Sequence, residues 1–195
     1  MATNSTARTF NIARRLLLLG LAIACLFAGS LPASAISPGE WTLIDSFETT
    51  STWTFDGSSP AAGTFMIGVA RTGTKNARLE ITANTWKSVG RTVRITPAAD
   101  QWTWPSDSKC RADFYFRSWT GNLTARIEVI DPATWTYLAL SDTTVSQAGY
   151  TQVFGQSWNY RAKPNVFVRA TIHGPNAETA YVDDLTVTCR EAIIG

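Results

Sequence analysis

Three consecutive segments of the chain carry aromatic or charged side chains at every second position. Side chains in a β-strand point alternately to the two faces of a sheet, so this spacing predicts a core face and an outer face. The residues predicted on the outer face are Tyr115, Arg117, Arg126, Glu128, Trp135 and Tyr137. Aromatic rings stack on apolar faces of a ligand, while guanidinium and carboxylate groups exchange hydrogen bonds with its hydroxyl groups. If the three strands are neighbours, these side chains form one platform with that chemistry.

Apolar residues on the opposite face determine this orientation. They are Phe114 and Phe116, Ile127 and Val129, and Leu138 and Leu140, in the three segments in order. A slip of one residue in any strand would send its aromatic and charged side chains into the core. A later segment around Val166 and Val168 repeats the pattern and extends the outer set. The added residues are Phe167, Arg169 and Thr171.

The segments that position these residues are short and rich in Thr, Val, Ile, Trp, Tyr and Phe. Clusters of Gly, Pro, Asn, Asp and Ser separate them, which predicts many antiparallel strands. The predicted strands are Trp41–Phe47, Trp53–Asp56, Thr64–Val69, Ala77–Thr82, Lys87–Ile95, Cys110–Trp119, Leu123–Ile130, Thr134–Leu140, Tyr150–Phe154, Asn165–Ile172 and Ala180–Cys189. So many strands in one domain favour an all-β fold, a two-sheet antiparallel β-sandwich.

The first 35 residues have the layout of a secretory signal peptide. A basic stretch ends at Arg14 and Arg15, an apolar run follows, and Ala33-Ser34-Ala35 supplies small residues for cleavage. We expect cleavage after Ala35, which leaves residues 36–195 as a single secreted β-sandwich domain. The apolar run is shorter than the about 20 residues that a spanning helix needs. We therefore expect no stable membrane insertion after cleavage.

Two other export signals are alternatives. Arg14 and Arg15 before the apolar run are compatible with a twin-arginine signal, and Cys25 within the run with a lipoprotein signal. The residues around the two arginines otherwise lack the twin-arginine pattern. Cys25 is followed by more apolar residues, where a lipidated cysteine would begin the mature protein. The general secretory route is favoured.

The positive charge of the chain belongs to its first 35 residues. The full sequence has 17 basic and 15 acidic residues, a formal net charge of +2. Removal of Arg8, Arg14 and Arg15 reduces 17 basic residues to 14 against the same 15 acidic ones, a net charge of about −1. A nucleic-acid-binding surface needs a row of cations to neutralise phosphates. Because residues 36–195 contain no run of Lys or Arg, we expect no nucleic-acid partner.

Two cysteines, Cys110 and Cys189, remain once cleavage of the signal peptide has removed Cys25. Such a pair in an oxidising compartment favours one disulfide, and two buried free thiols are the alternative. A bridge that closes so long a loop stabilises by about 4 kcal/mol in the chain-entropy model.

Three short motifs occur in a recognisable order along residues 36–195. They are Leu43-Ile44-Asp45-Ser46-Phe47-Glu48 followed by Trp53, then Ala70-Arg71-Thr72-Gly73-Thr74-Lys75-Asn76-Ala77-Arg78-Leu79, and then Ala180-Tyr181-Val182-Asp183-Asp184-Leu185-Thr186-Val187. With them the chain resembles the jelly-roll carbohydrate-binding modules, of galactose-binding-domain-like fold, that are attached to bacterial cellulases and xylanases. The resemblance implies a jelly roll whose first and last strands pair.

The resemblance also implies a structural calcium ion. In that family the Phe-Glu of the first strand, carbonyl groups of a Gly-Thr-Lys-like turn and the second Asp of the last strand often enclose calcium. The matching positions here are Glu48, the turn 73–75 and Asp184. Calcium accepts carboxylate and carbonyl oxygens together, so Glu48 and Asp184 are the expected metal ligands. The alternative is that both acids are polar groups at strand ends.

The function that the resemblance implies is non-catalytic binding of polysaccharide, a glycan partner that suits the predicted outer face. One alternative is a structural or adhesive β-sandwich that docks on another protein or on the cell envelope. A second is a small glycoside hydrolase with two carboxylates about 5–9.5 Å apart. Glu128 is then the best acid, but Asp113 lies near a strand end and Glu80 has no predicted register. The one histidine, His173, is expected to be a turn residue.

Overall fold

The computed structural model describes residues 40–95, 108–119, 123–146, 148–161 and 163–190. These residues form strands joined by turns, with one short 3₁₀ turn at Thr50–Thr52. Within these ranges no helix is long and apolar enough to cross a membrane. The predicted all-β class is confirmed. The predicted signal peptide, residues 1–35, lies outside the described residues.

Twelve strands occur in these ranges. They are β1 (Glu40–Asp45), β2 (Thr54–Gly57), β3 (Ala62–Ile67), β4 (Lys75–Ile81), β5 (Thr85–Arg94), β6 (Lys109–Ser118), β7 (Leu123–Asp131), β8 (Thr136–Val145), β9 (Thr151–Phe154), β10 (Trp158–Asn159), β11 (Asn165–Gly174) and β12 (Glu178–Arg190). Eleven of them overlap the predicted strands. The two-residue β10 was not predicted, because its segment is too short to show alternation.

The strands form two antiparallel sheets, which confirms the predicted sandwich. The seven-stranded sheet has the order β10-β6-β12-β4-β3, with β1 paired to β12 and β9 paired to β6. The five-stranded sheet has the order β2-β5-β11-β7-β8. Strand β1 pairs with β12 from Glu40↔Arg190 to Asp45↔Leu185, so the implied pairing of the first and last strands is also confirmed.

The core lies between the two sheets and follows the predicted alternation in most strands. Its members include Phe114 and Phe116 of β6, Ile127 and Val129 of β7, and Val166, Val168, Ala170 and Ile172 of β11, all almost completely buried. Burying one such aliphatic or aromatic side chain stabilises a fold by about 1.5–3 kcal/mol. The core faces of β7 and β11 therefore fix which of their side chains can reach a ligand.

The predicted disulfide joins Cys110 to Cys189. The two residues pair directly across β6 and β12, with 4.0 Å between their Cα atoms. The bridge thus staples two neighbouring strands inside the seven-stranded sheet. Neither of these strands is an edge strand, so the bridge does not tie together two edges of the sandwich.

Candidate binding groove

The outer face of the five-stranded sheet carries polar side chains in register across its strands. Arg169 of β11 pairs with Gly90 of β5 on one side and with Glu128 of β7 on the other. Two residues along the strand, Thr171 pairs with Arg126 of β7. Directly paired residues project from the same face of a sheet. The sheet therefore brings these side chains together although they are far apart in sequence.

A groove of about 310 Å³ runs over this face, within the size range of ligand sites. Its lining residues are Trp86, Arg126, Glu128, Tyr137, Arg169, Thr171 and His173. Trp86 pairs with His173, whereas Tyr137 belongs to the row of Phe167, six residues earlier in β11. At about 3.3 Å per residue, these two rows lie about 20 Å apart along the strand. The groove is long, with an aromatic ring toward each end.

The floor of the groove is a buried ion pair. Arg169 donates from Nε to Oε2 of Glu128 at 2.5 Å and from Nη2 to Oε1 at 3.0 Å. The Thr171 hydroxyl donates to the same Oε2 at 2.7 Å, and Glu128 is only 2% exposed. Burial alone would lower the pKa of Arg169, but the bonds to Glu128 outweigh it and raise that pKa. The floor is a fixed pair of opposite charges with no net charge.

One wall of the groove is a second, more exposed ion pair. Arg126 donates from Nε and Nη2 to the two carboxylate oxygens of Asp142 at 2.7 and 2.8 Å. His173 Nε2 lies 3.4 Å from Asp142 Oδ1. The bond from Arg126, helped by His173, lowers the pKa of Asp142 against the effect of desolvation. The wall presents N–H groups beside a carboxylate, a combination that suits vicinal hydroxyl groups.

Exposed aromatic side chains lie at one end of the groove, where Tyr137 is a lining residue and Trp135 lies just outside the lining. Tyr137 is 56% exposed and Trp135 is 66% exposed. The Trp135 ring packs on Phe167 at 5.7 Å between centroids, so its position is supported from below. At the other end, the Arg169 guanidinium lies over the Trp86 ring at 5.4 Å. Rings held in this way offer apolar surface for stacking on a flat ligand.

Phe167 itself lies over a glycine. A Cβ atom on Gly90 would come within 2.7 Å of the Phe167 ring, closer than two carbon atoms can approach without displacement. The absence of a side chain at position 90 lets the ring lie down against the sheet. The same ring packs against Trp135.

Two of the six predicted platform residues, Tyr115 and Arg117, lie elsewhere. They belong to β6, which is in the seven-stranded sheet, whereas β7 and β8 belong to the five-stranded sheet. The prediction of one continuous platform was therefore wrong. The chain crosses between the sheets after β6, so strands that are consecutive in sequence are not neighbours here.

Tyr115 and Arg117 have contacts of their own on the outer face of the seven-stranded sheet. The Arg71 guanidinium lies over the Tyr115 ring at 3.6 Å, and the Tyr115 hydroxyl donates to Gln152 at 3.0 Å. Arg117 lies over the ring of Trp119 at 5.7 Å. Neither residue lines the groove.

A bulge in β8 explains why Tyr137 faces the groove. The register between β7 and β8 shifts at this point, so Val129 pairs with Ala139 but Ile130 pairs with Tyr137. Leu138 packs against the core as predicted. Leu140, predicted to point inward, pairs with Glu128 and so shares the outer face. An extra residue at the bulge reverses the alternation on either side of it.

Two lining residues, Trp86 and His173, were not predicted as site residues, and neither was Asp142, which is bonded to the lining residue Arg126. Two of them continue patterns that the sequence contains. His173 follows the buried Ile172, and Trp86 lies one residue before the predicted start of its strand. Extending the alternation by one position at each strand end would have found both. Asp142 carries no comparable signal, because it lies two residues after Leu140, which the predicted alternation placed on the core side.

The carboxylates considered for catalysis do not come together. Glu128 lies on the five-stranded sheet, while Asp113 and Glu80 belong to β6 and β4 of the other sheet. Asp113 is bonded to Arg111 at 2.9 Å and accepts a hydrogen bond from the Gly155 N–H at 3.2 Å. No pairing of Glu128 with either acid across one ligand is available.

The loop between β3 and β4 receives Glu48. Oε1 of Glu48 accepts hydrogen bonds from the backbone N–H groups of Thr74 and Lys75 at 2.6 and 2.9 Å, and Oε2 accepts from the Thr74 hydroxyl at 2.8 Å. These bonds lower the pKa of Glu48. The carboxylate lies so close to Gly73, at φ 63°, that a Cβ there would clash with it.

Two acids of β12 hold the other end of the same loop. Asp184 accepts hydrogen bonds from Arg71 Nη1 at 2.7 Å and from the Thr72 hydroxyl. Oδ2 of Asp183 accepts from the backbone N–H of Arg71 at 2.6 Å, and its Oδ1 from the N–H of Asp184 at 2.8 Å. Burial, together with the charge of Asp184, raises the pKa of Asp183 to about 6 despite these bonds.

This arrangement does not fit the calcium ion that the resemblance implies. Each carboxylate oxygen of Glu48 and Asp184 already accepts a hydrogen bond, and the loop directs N–H groups and a guanidinium at them. Calcium instead requires several oxygen ligands that are free to coordinate it. Among the described residues, no group of three or more His, Cys, Asp or Glu could hold a metal ion.

Solved structures with the same fold include carbohydrate-binding modules. The C-terminal family 22 module of Clostridium thermocellum Xyn10B matches with a TM-score of 0.53 and 16% identity, over 78% of this chain and 95% of that chain. The family 22 xylan-binding domain of Paenibacillus barcinonensis Xyn10C has a TM-score of 0.52 and 14% identity, over 77% of this chain and 94% of that one. At these identities the similarity establishes the fold, so the resemblance to jelly-roll carbohydrate-binding modules is confirmed at that level.

An enzyme also contains a part with this fold. An arabinose-bound α-L-arabinofuranosidase matches with a TM-score of 0.52 and 12% identity, over 72% of this chain but only 23% of that chain. This chain thus corresponds to less than a quarter of that enzyme. No family model matches the chain. No curated protein matches it either.

Proposed function

We propose that the protein is a non-catalytic polysaccharide-binding module and that the groove on the five-stranded sheet holds the glycan. The observation that supports this is the layout of the groove: the half-buried ring of Trp86 toward one end, the exposed ring of Tyr137 toward the other, and ion-paired N–H donors and carboxylates between them. Sugar rings present flat C–H faces flanked by hydroxyl groups. The aromatic side chains would stack on the C–H faces of the sugar. Arg126, Asp142 and His173 would form hydrogen bonds with its hydroxyl groups.

The shape of the groove favours a chain over a single sugar. The rows of Trp86 and Tyr137 are about 20 Å apart along the strands, which is longer than one pyranose ring. The solved structures of the same fold described above include a xylan-binding domain, which supports polysaccharide as the ligand class. The burial of Glu128 under Arg169 and Thr171 argues for a structural role of this acid and against proton transfer.

We also propose that the protein is exported. The support is the sequence of residues 1–35, with its basic start, apolar run and small-residue cleavage site. Mass spectrometry of protein recovered from the culture medium is expected to give an N-terminus at Ile36. An intact N-terminus, or a lipid on Cys25, would contradict this.

One experiment tests the binding function against its alternatives. The purified protein is incubated with a panel of insoluble and soluble polysaccharides, and both retention and released reducing ends are measured. Retention without new reducing ends supports the proposal. Release of reducing ends would indicate a glycoside hydrolase, and failure to bind any polysaccharide would favour a module that docks on protein.

A further inference from the structure

Two further cavities continue from the groove around the edge of the sandwich. Tyr137 lines both the groove and a cavity of about 240 Å³, whose other lining residues include Ser157, Asn159 and Arg161. Ser157 in turn also lines a third cavity, of about 290 Å³, on the seven-stranded sheet. The shared residues place the three cavities in series. We refer to the second and third as the edge cavities.

The edge cavities differ from the groove in charge. Among the described residues, the charged ones that line them are Lys109, Arg111, Arg161 and Arg190, and none of the described lining residues is an Asp or Glu. In the groove, by contrast, Arg126 and Arg169 are each bonded to a carboxylate. A path that begins with no net charge therefore becomes positive as it turns around β10.

Within the described ranges, two of the four edge cations have no carboxylate partner. Arg111 is paired with Asp113 at 2.9 Å and Arg190 approaches Glu40 at 3.4 Å. Lys109 donates instead to the neutral side-chain oxygen of Asn159.

Arg161 takes part in none of the ion pairs among the described residues. Both Lys109 and Arg161 are exposed. Within the part of the chain that the structure describes, neither charge is held in an ion pair, so a ligand can approach both.

We propose that the edge cavities bind an anionic substituent, a carboxylate or a sulfate ester, on a polysaccharide whose backbone lies in the groove. Guanidinium and ammonium groups form strong charge-assisted hydrogen bonds with both anions. The hydroxyl groups of Ser157 and Thr188, which also line these cavities, add neutral donors. This inference rests on the proposed function of the groove and specifies its ligand as an acidic polysaccharide.

The test compares derivatives of one backbone. A neutral polysaccharide retained in the panel is lightly substituted with carboxymethyl, sulfate or hydroxyethyl groups, the last being of similar size but uncharged. At low salt, affinity electrophoresis is expected to show about three- to tenfold tighter binding of an anionic derivative than of the hydroxyethyl one. The carboxymethyl and sulfate arms distinguish the two anions. The preference is expected to vanish at high salt, because exposed charges are screened.

Variants assign the preference to the edge cavities. The double variant Lys109→Gln, Arg161→Gln is expected to lose it while keeping its affinity for the unsubstituted polysaccharide. Arg117→Gln is the matched control, because Arg117 lies on the same strand β6, eight residues from Lys109, and lines neither edge cavity. It is expected to retain the preference.

Four results would contradict the inference. The first is equal binding of all derivatives, and the second is equal loss of the preference in the control variant. The third is equally tight binding of single-stranded DNA, which would indicate attraction to any polyanion. The fourth is failure to bind any glycan, which would refute the proposed function itself. If the protein retains the neutral polysaccharide but shows no preference for its anionic derivatives, only the proposal for the edge cavities is refuted.

Discussion

The guanidinium of Arg169 covers the carboxylate of Glu128 with two hydrogen bonds, across β11 and β7, where almost no solvent reaches the acid. Removing one member of such a pair leaves the other charge buried without compensation, which typically costs about 3–5 kcal/mol. We therefore expect Glu128→Gln to reduce the free energy of unfolding in urea by that order.

The second ion pair of the groove is the control for this prediction. Arg126 and Asp142 are bonded with similar geometry, but their side chains are 31% and 41% exposed. Exposed pairs contribute at most about 1 kcal/mol, so Asp142→Asn is expected to leave stability nearly unchanged. The double variant Glu128→Met, Arg169→Met should recover part of the loss. Equal losses of stability in Glu128→Gln and Asp142→Asn would contradict the burial of Glu128.

The exposed aromatic residues are expected to matter for retention and not for stability. Trp135→Ala and Tyr137→Ala should each weaken polysaccharide binding by about 1–3 kcal/mol, by analogy with aromatic stacking on nucleic-acid bases. Their melting temperatures should stay close to that of the unmodified protein, because both side chains are more than half exposed.

Trp119→Ala provides the comparison, since Trp119 is 62% exposed and packs beside Tyr181 of the seven-stranded sheet. It should not affect retention. If Trp119→Ala lost as much binding as Trp135→Ala, the ligand would contact the seven-stranded sheet, which would contradict the proposed groove.

The raised pKa of Asp183 predicts that the stability of the fold depends on pH. Folding raises its pKa from 3.8 to about 6, so the folded state binds the proton more tightly than the unfolded state does. The resulting stabilisation is present below about pH 4 and is lost as the pH rises through 6. At about 1.4 kcal/mol per pKa unit, this amounts to at most about 3 kcal/mol.

The comparison of the protein with its Asp183→Asn variant isolates this effect. Asp131 and Asp142 have lowered pKa values, so their contribution is lost only at lower pH and is common to both proteins. Between pH 4 and pH 7, the melting temperature of the unmodified protein should fall relative to that of the Asp183→Asn variant. Parallel curves would show that Asp183 ionises with its ordinary pKa.

The loop between β3 and β4 is expected to hold without added metal. Because Arg71 and backbone N–H groups already satisfy Glu48 and Asp184, a calcium chelator should not lower the melting temperature. Arg71→Met should lower it, because the mostly buried Asp184 then loses its cation. A chelator-dependent fall in melting temperature would instead support the calcium ion that the resemblance implies.

The sequence predicted the faces of single strands better than the neighbours of those strands. In β7, the alternation of Ile127 and Val129 with Arg126 and Glu128 is local, and the structure matches it. Which strand lies beside β7 depends on contacts distant in sequence. Consecutive strands are often neighbours, but β6 is not a neighbour of β7. Two of the six predicted platform residues, Tyr115 and Arg117, were therefore assigned to the wrong sheet.

The bulge in β8 marks a second limit of sequence patterns. Trp135 precedes the strand, in a turn at φ 54°, and Tyr137 faces the groove only because an extra residue shifts the register. Alternation counted from Leu138 gave the correct side for Tyr137 and the wrong side for Leu140. A bulge changes the periodicity without changing the composition, so it leaves no signal in the residue types.

Gly90 and Phe167 restrict the order in which the groove can change during evolution. A Cβ atom at position 90 would lie 2.7 Å from the Phe167 ring, so a substitution there requires that ring to move or to be replaced by a smaller side chain. A smaller residue at 167 in turn removes the support beneath Trp135. Positions 90 and 167 are thus coupled, and a lineage accommodates a side chain at position 90 more easily once position 167 is smaller.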